Sequence, residues 1–107
     1  DAPQMSCLAS RFAYGQEIKL EDLSRIEKSE NYIRALGFKM VRLRHYRLSD
    51  ETLLARLEVD KKDIKKVTSY QLPVTSYLKK LGYNYITLDL EGYRSGSMNI
   101  GITGGKI

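Results

Sequence analysis

Apolar residues fall at Leu20, Leu23, Ile26, Ile33 and Leu36, a helical spacing that predicts one helix over 17–36. Glu21 and Asp22 in its first turn suit the helix dipole, and Gly37 supplies the stop. From Lys39 the period shortens to two. Val41, Leu43 and His45 share one face, and Met40, Arg42, Arg44 and Tyr46 the other, as in a half-buried strand. After the turn Leu48-Ser49-Asp50-Glu51 the alternation resumes over 52–59. Leu53, Ala55, Leu57 and Val59 point one way, and Leu54, Arg56 and Glu58 the other. Two such runs joined by a short polar turn make an antiparallel hairpin.

Asp60 has the character of an N-cap. Ile64, Val67, Val74, Tyr77, Leu78 and Leu81 mark a second helical region, which Pro73 should divide into two short helices, the second beginning near that proline. Gly82 ends it. Tyr83 to Leu90 then reads as a third strand, with Ile86, Leu88 and Leu90 inward and Tyr85, Thr87 and Asp89 outward. The chain is therefore expected to be one α+β domain over 1–107. Residues 1–16 form an ordered loop, 17–91 the core, and 92–107 a Gly/Ser-rich tail. The element order αββαβ predicts a three-stranded, mainly antiparallel sheet of order 2-1-3. The helices should lie on one face, over Val41, Leu57 and Leu88.

Composition narrows the function classes. The 107 residues suit one domain, and no apolar run approaches the length of a membrane span. The start, Asp1-Ala2-Pro3, has neither an initiating Met nor a secretory leader, so the chain is expected to be a processed product or, in preference, a piece cut from something longer. A single Cys and a single His exclude a disulfide framework and make a closed metal site within the chain unexpected. A lone thiol fits a cytoplasmic protein. The net charge of +5 favours an anionic partner.

The pleat locates that charge. Arg42 and Arg44 project from the face away from the helices, roughly 7 Å apart along the strand, beside Arg56, Glu58, Thr87 and Asp89. Such guanidinium groups can grip a phosphate or carboxylate, or simply meet water with their charges paired across strands. Glu30 falls in the apolar seam of the first helix, where a carboxylate needs a cation, a metal or a proton, unless it reaches out to solvent. Cys7 lies close to Arg11, which would lower its pKa; alternatively it is a small buried residue. Gly92-Tyr93-Arg94-Ser95-Gly96-Ser97 is either a phosphate-binding loop or a turn.

Three stretches together carry a resemblance: Cys7-Leu-Ala-Ser-Arg-Phe with Tyr14-Gly15, Arg42-Leu-Arg44-His45, and Leu88-Asp-Leu-Glu-Gly-Tyr-Arg94-Ser-Gly-Ser-Met-Asn99. In these the chain resembles the C-terminal domain of the LarE family, ATP-dependent sacrificial sulfur transferases of the PP-loop superfamily. The resemblance implies that an N-terminal PP-loop domain uses ATP and Mg to adenylylate a carboxylate of a pyridinium mononucleotide. Cys7 then attacks the acyl group, and elimination leaves its sulfur on a precursor of the nickel-pincer cofactor. Arg42 and Arg44 would hold phosphate, Arg94 with Ser95 and Ser97 would add a further phosphate contact, and Ser10 and Arg11 would position the thiol. Glu30 would hold a metal or orient the substrate. Asp60 is a lesser candidate, since an N-cap explains it.

Two departures from the family pattern stand out. Ser6 replaces the proline that usually precedes the nucleophile, and the Ser-Gly-Gly-x-Asp-Ser loop for ATP phosphates is absent. Gly101-Ile-Thr-Gly-Gly-Lys106 lacks that motif's order. The chain is therefore expected to bind no cofactor tightly and not to be a complete enzyme by itself. Family members with an iron–sulfur cluster are a poor match, given the single Cys. The alternatives are a non-catalytic nucleotide- or RNA-binding module and a structural domain making homo-oligomer contacts. Nucleic acid is disfavoured because few aromatics stand between the cations. No membrane contact is expected.

Overall fold

The helix predicted over 17–36 forms as α1, Leu20–Ala35, and buries Leu23, Ile26 and Ile33. It stops as expected. Gly37 has φ of 110° and donates its amide to the Arg34 carbonyl at 2.9 Å, a left-handed turn that side chains resist. The structure, a computed structural model, describes residues 19–93.

The hairpin is present as β1, Val41–Ser49, paired antiparallel with β2, Thr52–Val59. Its register sets Arg42 opposite Glu58, Arg44 opposite Arg56 and Tyr46 opposite Leu54. The Asp60 carboxylate accepts the Lys62 amide at 3.2 Å and caps a short 3-10 turn, Lys61–Asp63. Beyond it lie α2, Ile64–Thr68, and α3, Gln71–Lys80. Pro73 lies in the first turn of α3 rather than at its start, where a residue without an N–H costs no helical hydrogen bond.

The sheet differs from expectation. β3, Tyr85–Leu88, pairs with β2 and runs parallel to it, so the order is β1-β2-β3 and not 2-1-3. It is a mixed sheet, not a mainly antiparallel one. The outer edge of β1 explains the difference. There the Leu43 amide donates to Glu30 Oε2 at 2.8 Å, so a carboxylate from α1 already occupies the edge that β3 would have used. The far edge of β2 takes β3 instead, through Leu53 and Asn84. Asn84 donates its amide to the Leu53 carbonyl at 2.9 Å and accepts the Leu53 amide on its side chain at 2.7 Å.

β3 is also shorter than the predicted 83–90, and Leu90, expected inward, is exposed. Asp89 starts a turn, its side chain accepting the Glu91 amide at 2.9 Å. The chain then folds back onto the end of β2, and the Tyr93 amide donates to the Val59 carbonyl at 2.8 Å. Gly92 permits this approach. Its φ is 80°, and a Cβ there would stand 3.0 Å from the Val59 carbonyl oxygen.

The helices cover one face, as expected. Ile26 and Ile33 of α1, Val67 of α2, and Val74 and Leu78 of α3 bury against Val41, Leu43, Ala55, Leu57 and Val59. Ile86 and Leu88 pack at the margin of this core. The opposite face carries Arg42, Arg44, Arg56 and Glu58.

Candidate functional site

Strand parity places Arg42, Arg44 and Tyr46 from β1 beside Arg56 and Glu58 from β2, on the face away from the helices. This face is less open than the sequence implied. Arg44 is only 4% exposed and Glu58 is fully buried. Arg44 Nε donates to Glu58 Oε1 at 3.2 Å, while the other carboxylate oxygen, Oε2, lies 3.5 Å from Arg56 Nη2. Arg56 also reaches Asp89 Oδ2 at 3.5 Å and lies over the Tyr46 ring, 5.6 Å from its centroid. Two guanidinium groups on directly opposed residues would repel each other, and the carboxylate between them makes the pairing tolerable. Burial raises the Tyr46 hydroxyl above its usual range, with Arg56 and Arg44 pulling in the other direction.

Arg42 differs from its neighbours. Among the described residues it has no carboxylate partner, and its guanidinium carbon sits 5.3 Å from the Tyr93 ring centroid. The turn docked through Gly92 puts Tyr93 there. A shallow cavity of about 390 Å³ lies alongside, lined by Met40, Asp60, Lys61, Glu91 and Tyr93. Arg44 and Arg56 face the carboxylates Glu58 and Asp89, and Asp60, Lys61 and Glu91 line the cavity, so the charges around the face balance. Arg42 is the guanidinium with which the arrangement can hold an anion.

The sequence-derived candidates separate into three groups. Arg42 and Arg44 share one face, as the pleat required. Glu30 is 2% exposed and sits on the helix-facing side, where its oxygens accept from the Leu43 amide and, at 3.3 Å, from Arg34 Nη2. These bonds give it the partners its position demanded, and they place it apart from the arginine face. No group of three or more His, Cys, Asp or Glu able to hold a metal ion occurs among the described residues. Cys7, Ser10, Arg11, Arg94, Ser95 and Ser97 lie outside the described residues.

A second buried cluster was not foreseen. Asp22, fully buried, binds Arg25, accepts from Arg47 Nη2 on both oxygens at 3.1 and 3.0 Å, and lies 3.5 Å from His45 Nε2. His45 Nδ1 is 2.8 Å from the Tyr83 hydroxyl. Burial pushes the imidazole down to about 4, against the pull of Asp22 and with the help of Arg25 and Arg47. The signal was available. The alternation that turns Val41, Leu43 and His45 inward also turns Arg47 inward, and a cation on the core side calls for a carboxylate.

Comparison with known proteins sharpens the picture. No protein-family model matches the chain. It is 37% identical over 99 residues to the pyridinium-3,5-bisthiocarboxylic acid mononucleotide synthase of Lactiplantibacillus plantarum, LarE, a match covering 92% of this chain and 34% of that protein. This chain is related to LarE over most of its length. Uncharacterized proteins of Synechocystis sp. and Methanocaldococcus jannaschii match at 42% and 31% identity, covering 92% and 87% of the chain and 36% and 34% of their own lengths. The chain thus spans about a third of the length of the curated relatives it matches, LarE included. Among the described residues, no helix is long and apolar enough to cross a membrane.

Proposed function

We propose that this chain is the substrate-binding and sulfur-donating domain of a LarE-like, ATP-dependent sulfur transferase that acts with a PP-loop domain. The observation that carries the reading is the arginine face, three guanidinium groups on neighbouring strands, of which Arg42 has no carboxylate partner among the described residues. The relatedness to LarE supports it. In this scheme the partner domain uses ATP with Mg to convert a carboxylate of a pyridinium mononucleotide into an acyl adenylate, releasing pyrophosphate. Arg42, stacked on Tyr93, and Arg44 hold a phosphate of the substrate or of the leaving AMP. Arg94, Ser95 and Ser97 extend that grip, and Ser10 and Arg11 orient the thiol.

The Cys7 thiolate attacks the acyl carbon; a C–S bond forms and AMP leaves. Removal of the Cys7 Cα proton then breaks the Cβ–S bond, so that the sulfur departs as a thiocarboxylate and dehydroalanine remains. Each chain is spent in one transfer. Glu30 serves this site only through the fold, by tying α1 to the edge of β1 at the Leu43 amide.

Two measurements test the scheme. Mass spectrometry of the protein joined to its PP-loop domain should show, after turnover, the loss of one hydrogen sulfide at Cys7; product formation with an unchanged Cys7 would refute the donor role. AMP titrated against this chain should bind Arg42→Ala roughly tenfold more weakly than wild type. Equal affinity would remove Arg42 from the site. A non-catalytic nucleotide-binding module would show the AMP effect with Cys7 intact. Base stacking by such a module is disfavoured, because Tyr46 and Tyr93 each already lie beneath a guanidinium.

A further inference from the structure

We propose that Glu58 is the positioning residue of the arginine face, a built-in anion that holds Arg44 and Arg56 in the geometry a ligand anion meets. This inference rests on the reading of that face as a phosphate site. Arg44 and Arg56 are Cα partners across the hairpin, so their side chains leave the sheet side by side. Like charges so placed turn away from one another unless something lies between them. Glu58 supplies it. The residue is fully buried and faces each cation with a different oxygen, Oε1 towards Arg44 Nε at 3.2 Å and Oε2 towards Arg56 Nη2 at 3.5 Å.

The asymmetry of these contacts matters. Glu58 engages Arg44 through Nε, the nitrogen nearest the chain, which fixes the plane of the guanidinium and the direction of its outer edge. Asp89 takes Arg56 at Nη1 from the far side, so Arg56 is braced between two carboxylates. Arg44 and Arg56 are thus set by internal anions, while Arg42 is stacked on Tyr93. Glu58 acts on a bound anion through Arg44.

Removing the carboxylate should open a seat between two guanidinium groups that a small carboxylate can fill. In Glu58→Ala, formate should raise the melting temperature in a saturable way and restore AMP affinity lost by the variant. Neither wild type nor acetamide-treated Glu58→Ala should respond. Glu58→Gln opens no seat. It should bind AMP roughly tenfold more weakly than wild type, and formate should not rescue it. A residue that merely filled space would show no rescue selective for an anion.

The proposal is overturned if formate stabilises Glu58→Ala no more than wild type. Should Glu58→Ala fail to fold, Glu58→Gln decides, and wild-type AMP affinity in that variant sinks the proposal. Arg42→Ala separates the two readings. If it too binds AMP like wild type, the phosphate site itself is wrong, whereas an effect there with none at Glu58 condemns only the positioning role.

Discussion

His45 is the residue whose environment most constrains the solution behaviour of the chain. It is fully buried on the helix side of β1, between Asp22 and Tyr83, with Arg25 and Arg47 close by. Its pKa falls from 6.5 to about 4 on folding, chiefly through burial. Because the folded value lies below the unfolded one, the unfolded chain takes up the proton first as the pH drops. The associated stability is complete above pH 6.5, declines as the pH falls towards 4, and amounts to about 3 kcal/mol at most. Urea melts from pH 7 to pH 4 should show this slope, and His45→Gln should flatten it. An equally steep profile in His45→Gln would assign the acid sensitivity to other groups. The Tyr83 hydroxyl does not share in the titration, since burial holds it protonated.

At the scale of elements, Glu30 links α1 to the open edge of β1. Glu30→Ala leaves the buried Leu43 amide without its acceptor, which should cost about 2 kcal/mol. Hydrogen exchange at that amide should accelerate in step, and unchanged protection would mean that another acceptor replaces the carboxylate. This tie also shows why topology was the least legible part of the sequence. The alternation in 41–47 and 52–59 specified the hairpin, its register of faces and the grouping of Arg42, Arg44, Arg56 and Glu58, because period two leaves little choice. Which edge would receive β3 depended on a carboxylate thirteen residues away from Leu43, and no periodicity reports that. Glu30 itself was recognisable as needing a partner, though not which one. The same holds for Asp22. Placed in a first turn, it passes for a dipole-complementing residue, and only the inward parity of His45 and Arg47 points to its buried role. Leu90 was misplaced because the Asp89 turn interrupts the alternation one residue earlier.

For the molecule as a whole, the two faces of the sheet divide stability from binding. The core face is mainly apolar but includes the buried Asp22–His45–Arg47 cluster and Glu30, while the other face holds the Arg44–Glu58–Arg56 cluster, whose desolvation offsets much of its own attraction. Replacing all three together with Met, Leu and Met should leave the melting temperature equal or higher, and should weaken AMP binding relative to wild type. A large loss of stability would show that the ionic cluster, not only the apolar core, holds the fold together. A separate optical consequence arises from the docking of α1 against α3. The chain has 8 Tyr and no Trp, and Tyr32 and Tyr77 stack with ring centroids 4.1 Å apart and planes within 7°. Two phenols held so closely couple their electronic transitions. The near-ultraviolet circular dichroism of this protein should therefore carry a couplet that vanishes in Tyr77→Leu. That signal gives a label-free view of the helix layer, separate from the strands that hold the arginines.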